Sequence, residues 1–167
     1  GCSALVGINI PMALTKIGES AFAGTAIETA ILPNTVKEIG NSVFYLCDNL
    51  TDVTLHANLT EIPGSMFSSC GKLTSVTLPA SIEYIGENAF QGCESLYTVN
   101  LPYGNLTSIG PRAFFESGIS EMNLPSTIKS IGEEAFKRCS NMHKINLPNS
   151  IESIGPAAFV SCVSLEK

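Results

Sequence analysis

The fold of this chain is decided by the stretch from Leu73 to Cys93, which reads LTSVTLPASIEYIGENAFQGC. The same pattern recurs from one end of the 167-residue sequence to the other. One consequence is that all but one of the eight Phe residues occupy a single repeat position, at intervals of 22, 23, 23, 24, 22 and 23 residues. These residues are Phe22, Phe44, Phe67, Phe90, Phe114, Phe136 and Phe159. Such regular spacing indicates a repeat array.

Two further positions repeat with the Phe. An Ile lies five residues before each Phe and is followed by Gly in every unit except one, and a Cys lies three residues after the Phe in most units. Thr25 and Ser117 replace the Cys in two units, and Cys2 fits the same position at the start of the chain. A period of 20 to 29 residues that begins with Leu-x-x-apolar-x-Leu predicts a leucine-rich solenoid. We therefore expect a single array of about seven units over residues 1–167.

The chemistry of one unit predicts its local structure. Between Leu73 and Leu78 apolar and polar residues alternate, which is typical of a strand buried on one face, and Pro79 then ends the strand because it cannot donate to a ladder. The segment 86–93 has an acidic residue directly after its Gly, as suits the first position of a helix. We predict one helical turn there, with Ala89, Phe90 and Cys93 facing inward.

Composition argues against several classes of function. The chain has nine Lys and Arg residues and fifteen Asp and Glu residues, which gives a net charge of -6. It has no cluster of basic residues, and this argues against nucleic-acid binding. No apolar run approaches 18 residues, which argues against membrane insertion. His56 and His143 fall at different repeat positions, without a nucleophile at a defensible spacing. We predict no enzyme activity, no metal and no cofactor.

The repeat consensus L-x-S-[IV]-x-L-P-x-[ST]-[IV]-x-x-I-G-x-x-A-F-x-x-C resembles the BspA-like leucine-rich repeat of bacterial and protozoan surface proteins. The resemblance implies an α/β fold: a right-handed, β-rich solenoid with a parallel sheet on its concave face and short helical turns and irregular segments on its convex face. It also implies an extracellular or cell-surface location and adhesion to a host or neighbouring-cell protein. Because the sequence starts and stops in the middle of a repeat, we expect it to be a fragment of a longer surface protein.

The six Cys residues allow two interpretations. An even count in an extracytoplasmic family favours a disulfide framework, and stacked strands would bring successive Cys within bridging distance. Alternatively the Cys are buried thiols that behave as small apolar side chains. The second interpretation explains why Thr25 and Ser117 replace Cys singly, since a paired framework would lose partners in twos.

The outward-facing positions of the predicted sheet carry hydroxyl and amide groups. We predict a shallow concave binding face with Tyr97 as its aromatic anchor. Its candidate residues are Tyr97, Asn100, Glu121, Asn123, His143, Lys144 and Asn146. In the alternative to a binding face, the stacked Asn side chains form hydrogen bonds with one another and only tolerate contact with water. A partner could also use Tyr103 and the one-residue insertion that its unit carries.

The repeat pattern together with the family resemblance implies two alternative functions. The first is an extracellular interaction module that adheres to a protein of a host or neighbouring cell, or to a glycan. The second is a passive spacer or stalk that presents another domain. Because the strands near Leu5 and Leu165 are open edges over exposed core, we also expect weak end-to-end self-association.

Overall fold

The structure is a computed structural model that describes residues 4–56 and 58–166. Within these ranges the backbone forms thirteen short strands and no helix. Six strands of three or four residues carry the alternating apolar pattern: β2 (Thr29–Leu32), β4 (Asp52–Leu55), β6 (Ser75–Thr77), β8 (Thr98–Asn100), β10 (Glu121–Asn123) and β12 (Lys144–Asn146). Seven two-residue strands end on the repeated Ile: β1 (Lys16–Ile17), β3 (Glu38–Ile39), β5 (Glu61–Ile62), β7 (Tyr84–Ile85), β9 (Ser108–Ile109), β11 (Ser130–Ile131) and β13 (Ser153–Ile154).

Strands of each series pair in parallel with the equivalent strand of the next coil. In the first series β2 pairs with β4, β6 with β8, and β10 with β12, each in a register that matches equivalent repeat positions. In the second series β5, β7, β9, β11 and β13 form one continuous five-stranded sheet, and β1 pairs with β3. The chain is therefore a parallel-strand solenoid, whose six turns run from Phe22 to Phe159.

The core is a set of parallel columns that run along the solenoid. The predicted inward residues are buried, including Ala89, Phe90 and Cys93. Successive phenyl rings stack with their centroids 5.2–5.7 Å apart and with interplanar angles of 3–22°. The seven Phe residues that share one repeat position therefore stack in a single file along the solenoid. Each ring is covered by its neighbours, so the core is formed between coils and not within one.

The predicted helical turn is wrong. Around Phe44 the N–H groups of Tyr45 and Cys47 donate to carbonyl oxygens three residues earlier, those of Ser42 and Phe44, at 3.1 Å. The N–H of Phe44 itself donates to the carbonyl of Met66 in the next coil, at 2.9 Å. Because alternate donors bond outside their own coil, the i to i−4 bonds of an α-helix cannot form. The α/β class and its helical turns are replaced by an all-β solenoid with stacked turns.

This turn geometry places two residues of each coil in the left-handed region, two positions before and two after the Phe. Residues with side chains occupy most of these positions, for example Leu46 at φ 57° and Arg112 at φ 53°. A left-handed residue other than Gly costs about 1–2 kcal/mol. The cost is met because the N–H groups of these left-handed residues donate to the neighbouring coil, as Leu46 does to the carbonyl of Ser68 at 2.9 Å and Arg112 to that of Glu133 at 2.8 Å.

The run up to each repeated Ile, expected to be irregular or briefly extended, is briefly extended: it forms the two-residue strands of the second series. The repeated Gly after each Ile belongs to this ladder. A Cβ on Gly86 would lie 2.6 Å from the carbonyl oxygen of Ile62 and 2.7 Å from the nitrogen of Gly64. Gly86 is therefore required because the adjacent backbone passes too close for any side chain, whereas a Cβ on Gly18 in the first coil would meet no atom within 4 Å. The strands of the first series are present but shorter than predicted: β6 spans three residues of the predicted 73–78.

The Cys column consists of free thiols. Cys47, Cys70, Cys93, Cys139 and Cys162 are unpaired, and Cys2 lies outside the described residues. Each thiol donates to the carbonyl oxygen of the Phe in the preceding coil, at 3.0–3.1 Å. Where Ser or Thr replaces Cys, its hydroxyl lies 3.4 Å from the thiol of the next coil. The column therefore satisfies backbone carbonyls of the buried turns, as the interpretation of structural thiols predicts.

A test of the core is the change Phe90→Ala. Phe90 is fully buried between two stacked rings, so the cavity should lower the free energy of unfolding by about 3–5 kcal/mol, measured by urea denaturation. Phe159→Ala is the matched control. Phe159 is only partly buried, with one ring neighbour among the described residues, so its loss should be smaller. Equal losses in the two variants would contradict the stacked core.

The thiols make stability depend on pH. Burial raises the pKa of Cys93 and of Cys139 to about 12, whereas a thiol in the unfolded chain ionises near pH ~8.5. Between these pKa values the unfolded chain binds fewer protons than the folded chain. Stability is therefore complete below pH ~8.5 and falls as pH rises, by about 1.4 kcal/mol per pH unit for each Cys.

The measurement is urea denaturation at several pH values from neutral to about 10.5, so that only the upper part of the range lies between the unfolded and folded thiol pKa values. The double variant Cys93→Ser and Cys139→Ser should lose less stability per pH unit than the parent chain. Serine occupies the same column at position 117, so the variant should remain folded. Identical slopes in parent and variant would show that these thiols do not cause the alkaline loss.

Candidate binding face

The predicted site residues lie together on one face of the first strand series. We call this the polar face and define it by the seven candidates named above. Glu121 on β10 is the register partner of Lys144 on β12, and Asn123 is the register partner of Asn146. All seven side chains are exposed. Local alternation causes this arrangement, because the inward neighbours Val99, Met122 and Ile145 pack on the core.

Two of the candidates, Tyr97 and His143, stand just before β8 and β12, two coils apart. Tyr97 lies just before β8 and its side chain is 53% exposed. Its backbone carbonyl accepts hydrogen bonds from the N–H and the hydroxyl of Ser120, both at 3.3 Å, and the N–H of His143 donates to the carbonyl of Ser120 at 2.9 Å. The ladder therefore fixes Tyr97 and His143 in one column, two coils apart.

The Asn side chains do not form a ladder of their own. The Nδ2 group of Asn100 donates to the hydroxyl of Thr77, 3.1 Å away. Across residues 4–56 and 58–166, no hydrogen bond joins Asn100, Asn123 and Asn146 to one another, and no ion pair joins Glu121 to Lys144. The alternative in which the Asn side chains form hydrogen bonds with one another is therefore wrong. Most polar groups of this face are thus available to a ligand.

Charged groups on the turn side of the solenoid behave differently. The carboxylate of Glu134 accepts hydrogen bonds from Lys137 and from Arg112. The bond from Lys137 has the larger effect, and together the two bonds hold the pKa of Glu134 below its usual value. Arg138 pairs with Glu116 in the preceding coil. All three cations also lie 5.8–5.9 Å from the centre of the Phe115 ring. This cluster is satisfied internally, in contrast to the polar face.

A groove crosses the polar face beside a loop that the candidate residues did not include. It has a volume of about 310 Å³ and is lined by Thr98, Val99, Asn100, Leu101, Tyr103, Glu121, Asn123 and Pro125. The loop follows β8 and contains the one-residue insertion of this unit. Gly104 takes a φ of 123° there, and the Nδ2 group of Asn105 donates to the carbonyl of Ala80 at 2.8 Å. The longer interval between Phe90 and Phe114 was the sequence signal for this loop.

The described residues offer little for other kinds of site. Among residues 4–56 and 58–166, no group of three or more His, Cys, Asp and Glu side chains is arranged to hold a metal ion. The same part of the chain contains no helix with the length and apolar character to cross a bilayer. His56 and His143 are both exposed. His56 directly follows β4 and His143 directly precedes β12, as their different repeat positions predict. The polar face and its groove, where the predicted residues lie together, form the candidate site.

Comparison with solved structures places this architecture among bacterial leucine-rich repeat proteins. A leucine-rich repeat protein from Bacteroides ovatus ATCC 8483 is 26% identical over 99% of this chain and 54% of its own, with a TM-score of 0.78. The T. pallidum leucine-rich repeat protein is 29% identical over 92% of this chain and 72% of its own, with a TM-score of 0.83. A leucine-rich cell surface protein from Faecalibacterium prausnitzii A2-165 is 27% identical over 79% of this chain and 42% of its own, with a TM-score of 0.60.

This chain thus spans about half the length of the Bacteroides ovatus protein. A comparison with curated protein sequences gave no match. The family model for the BspA type leucine-rich repeat region matches residues 1–93 and 60–167, in six copies. These two ranges together cover the whole sequence. The chain belongs to the BspA type leucine-rich repeat family.

Proposed function

We propose that this chain is a non-catalytic interaction module on the outside of a cell, which adheres to a partner on a host or neighbouring cell through its polar face. The observation that carries the proposal is the exposed, mostly unpaired set of polar side chains that the seven candidates form on one side of the first strand series. The Faecalibacterium prausnitzii relative is a leucine-rich cell surface protein, which supports the location.

The pattern of charge pairing supports a binding role for this face. Ion pairs elsewhere join neighbouring coils, as in Lys16 with Glu38 and Lys129 with Glu152. On the polar face, Glu121 and Lys144 are in register but do not pair, so a partner can use both charges. Tyr97 adds a large side chain of the kind that is enriched in the centres of interfaces.

A passive spacer is the second candidate function. It is favoured by the rigidity of a ladder in which each coil is bonded to the next, since stiff repeats hold two ends at a fixed distance. A spacer makes no use of particular outward-facing side chains. The two functions therefore differ in what they predict for substitutions on the polar face.

The test is a triple variant with Tyr97→Ala, Asn123→Ala and Lys144→Ala. Beads coated with the chain are counted on cultured epithelial cells and on cells of other bacterial species. Loss of a Tyr anchor and its neighbours removes interactions of about 2 kcal/mol or more, so bound beads should decrease by at least about tenfold. Circular dichroism should show an unchanged fold, because all three residues are exposed.

A second triple variant of the same composition serves as the control: Tyr45→Ala, Asn58→Ala and Lys37→Ala. These residues are also exposed but lie outside the polar face, so adhesion should match that of the parent chain. Equal adhesion by both triple variants, or no adhesion by the parent chain, would contradict the interaction module and favour the spacer.

A further inference from the structure

The groove beside the inserted loop has the features of a small-ligand site. Tyr103 is 95% exposed, so its ring contributes almost nothing to the core. The residue after the strand's Pro in other units is small or polar, as Ala80 and Ser126 are. An aromatic ring held in water at the rim of a groove is available to stack on a ligand.

The loop that carries Tyr103 is held in place from both sides. The ladder continues up to Asn100, whose carbonyl accepts a bond from the N–H of Leu78 at 3.1 Å, and resumes at Thr107, whose N–H donates to Glu83 at 2.9 Å. Between these points the side chain of Asn105 bonds the carbonyl of Ala80. Tyr103 is therefore presented by a tethered loop, which lowers the entropy cost of binding.

The groups that line the groove select for a polar ligand with many hydroxyls. Glu121 supplies only acceptors, Thr98 can donate and accept, and the amides of Asn100 and Asn123 supply both kinds of group. Sugar hydroxyls donate and accept in the same way, while the C–H face of a pyranose ring can lie on the phenol ring of Tyr103. The volume of about 310 Å³ is at the lower end for small-ligand sites.

Other ligand classes fit this groove less well. An apolar ligand would find one aromatic ring and a lining of amides, hydroxyls and a carboxylate. A nucleotide could stack its base on Tyr103, but its phosphates would meet the Glu121 carboxylate in a chain of net charge -6. A neutral saccharide avoids both penalties.

We propose that the groove formed by Tyr103, Thr98, Asn100, Glu121 and Asn123 binds a neutral oligosaccharide, with Tyr103 as the stacking platform. The inference rests on the proposed function and makes it more specific: the partner on the other cell is recognised through a glycan chain that it carries.

The experiment applies the whole chain to an array of immobilised neutral oligosaccharides. The best binder is then titrated by calorimetry and by Tyr fluorescence, which no Trp obscures because the chain has none. We expect Tyr103→Ala to weaken binding at least tenfold and Tyr103→Phe to retain it, since the ring is kept. Tyr45→Ala, an exposed Tyr away from the groove, should bind as the parent does.

Two results would overturn this proposal: no oligosaccharide on the array binds the parent chain, or Tyr103→Ala binds as tightly as the parent. A third measurement separates it from the proposed function. If beads still adhere to cells whose glycans have been oxidised with periodate, and Tyr103→Ala adheres normally while the Tyr97, Asn123 and Lys144 triple variant does not, the partner is a protein surface. The interaction module would then stand and the saccharide site would not.

Discussion

Stacking of each coil on the next is the interaction on which the rest of the structure depends. A coil of about 23 residues is too small to enclose a core of its own, so its Leu, Ile and Phe side chains are buried only by the equivalent side chains beside them. The rings of Phe90 and Phe114, 5.2 Å apart, are one contact in this series. Because stability is set between coils, outward-facing residues can vary from one coil to the next without changing the fold.

The inward positions could be predicted from sequence because spacing alone determines them. The segment Gly86–Cys93 could not, since an acidic residue after Gly followed by Asn and Ala has the local features of a helix start. What decides its structure is the neighbouring coil: the N–H of Asn88 donates to Pro111 and that of Phe90 to Ala113, at 3.0 and 2.8 Å. These bonds require Asn88 to take a φ of 55°. The local helix propensity of this segment is therefore overridden by hydrogen bonds to the neighbouring coil, which the sequence of one repeat does not contain.

The Cys column shows how the same coupling explains the substitutions within it. Each thiol has a carbonyl oxygen as its partner and not another thiol, so a hydroxyl can replace one Cys without leaving a second one unpaired. Thr25 illustrates this, because its hydroxyl donates to the carbonyl of Phe22 in its own coil at 2.8 Å, while Cys47 donates to the same oxygen from the next coil. The repeat keeps a hydrogen-bond donor at this position, and that donor can be either a thiol or a hydroxyl group.

The composition of the polar face could be predicted from alternation, but its groove could not. The groove depends on how the inserted residue is accommodated, and the interval between Phe90 and Phe114 says only that an insertion exists. In the structure the ladder bonds on either side are preserved, so the whole insertion is confined to residues 102–105 and extends outward with Tyr103. A solenoid of this kind can thus gain a specific recognition site by changing one loop, since the coils above and below fix the loop's ends. The cost to the core is small, because Leu101 and Leu106 on either side still pack inward.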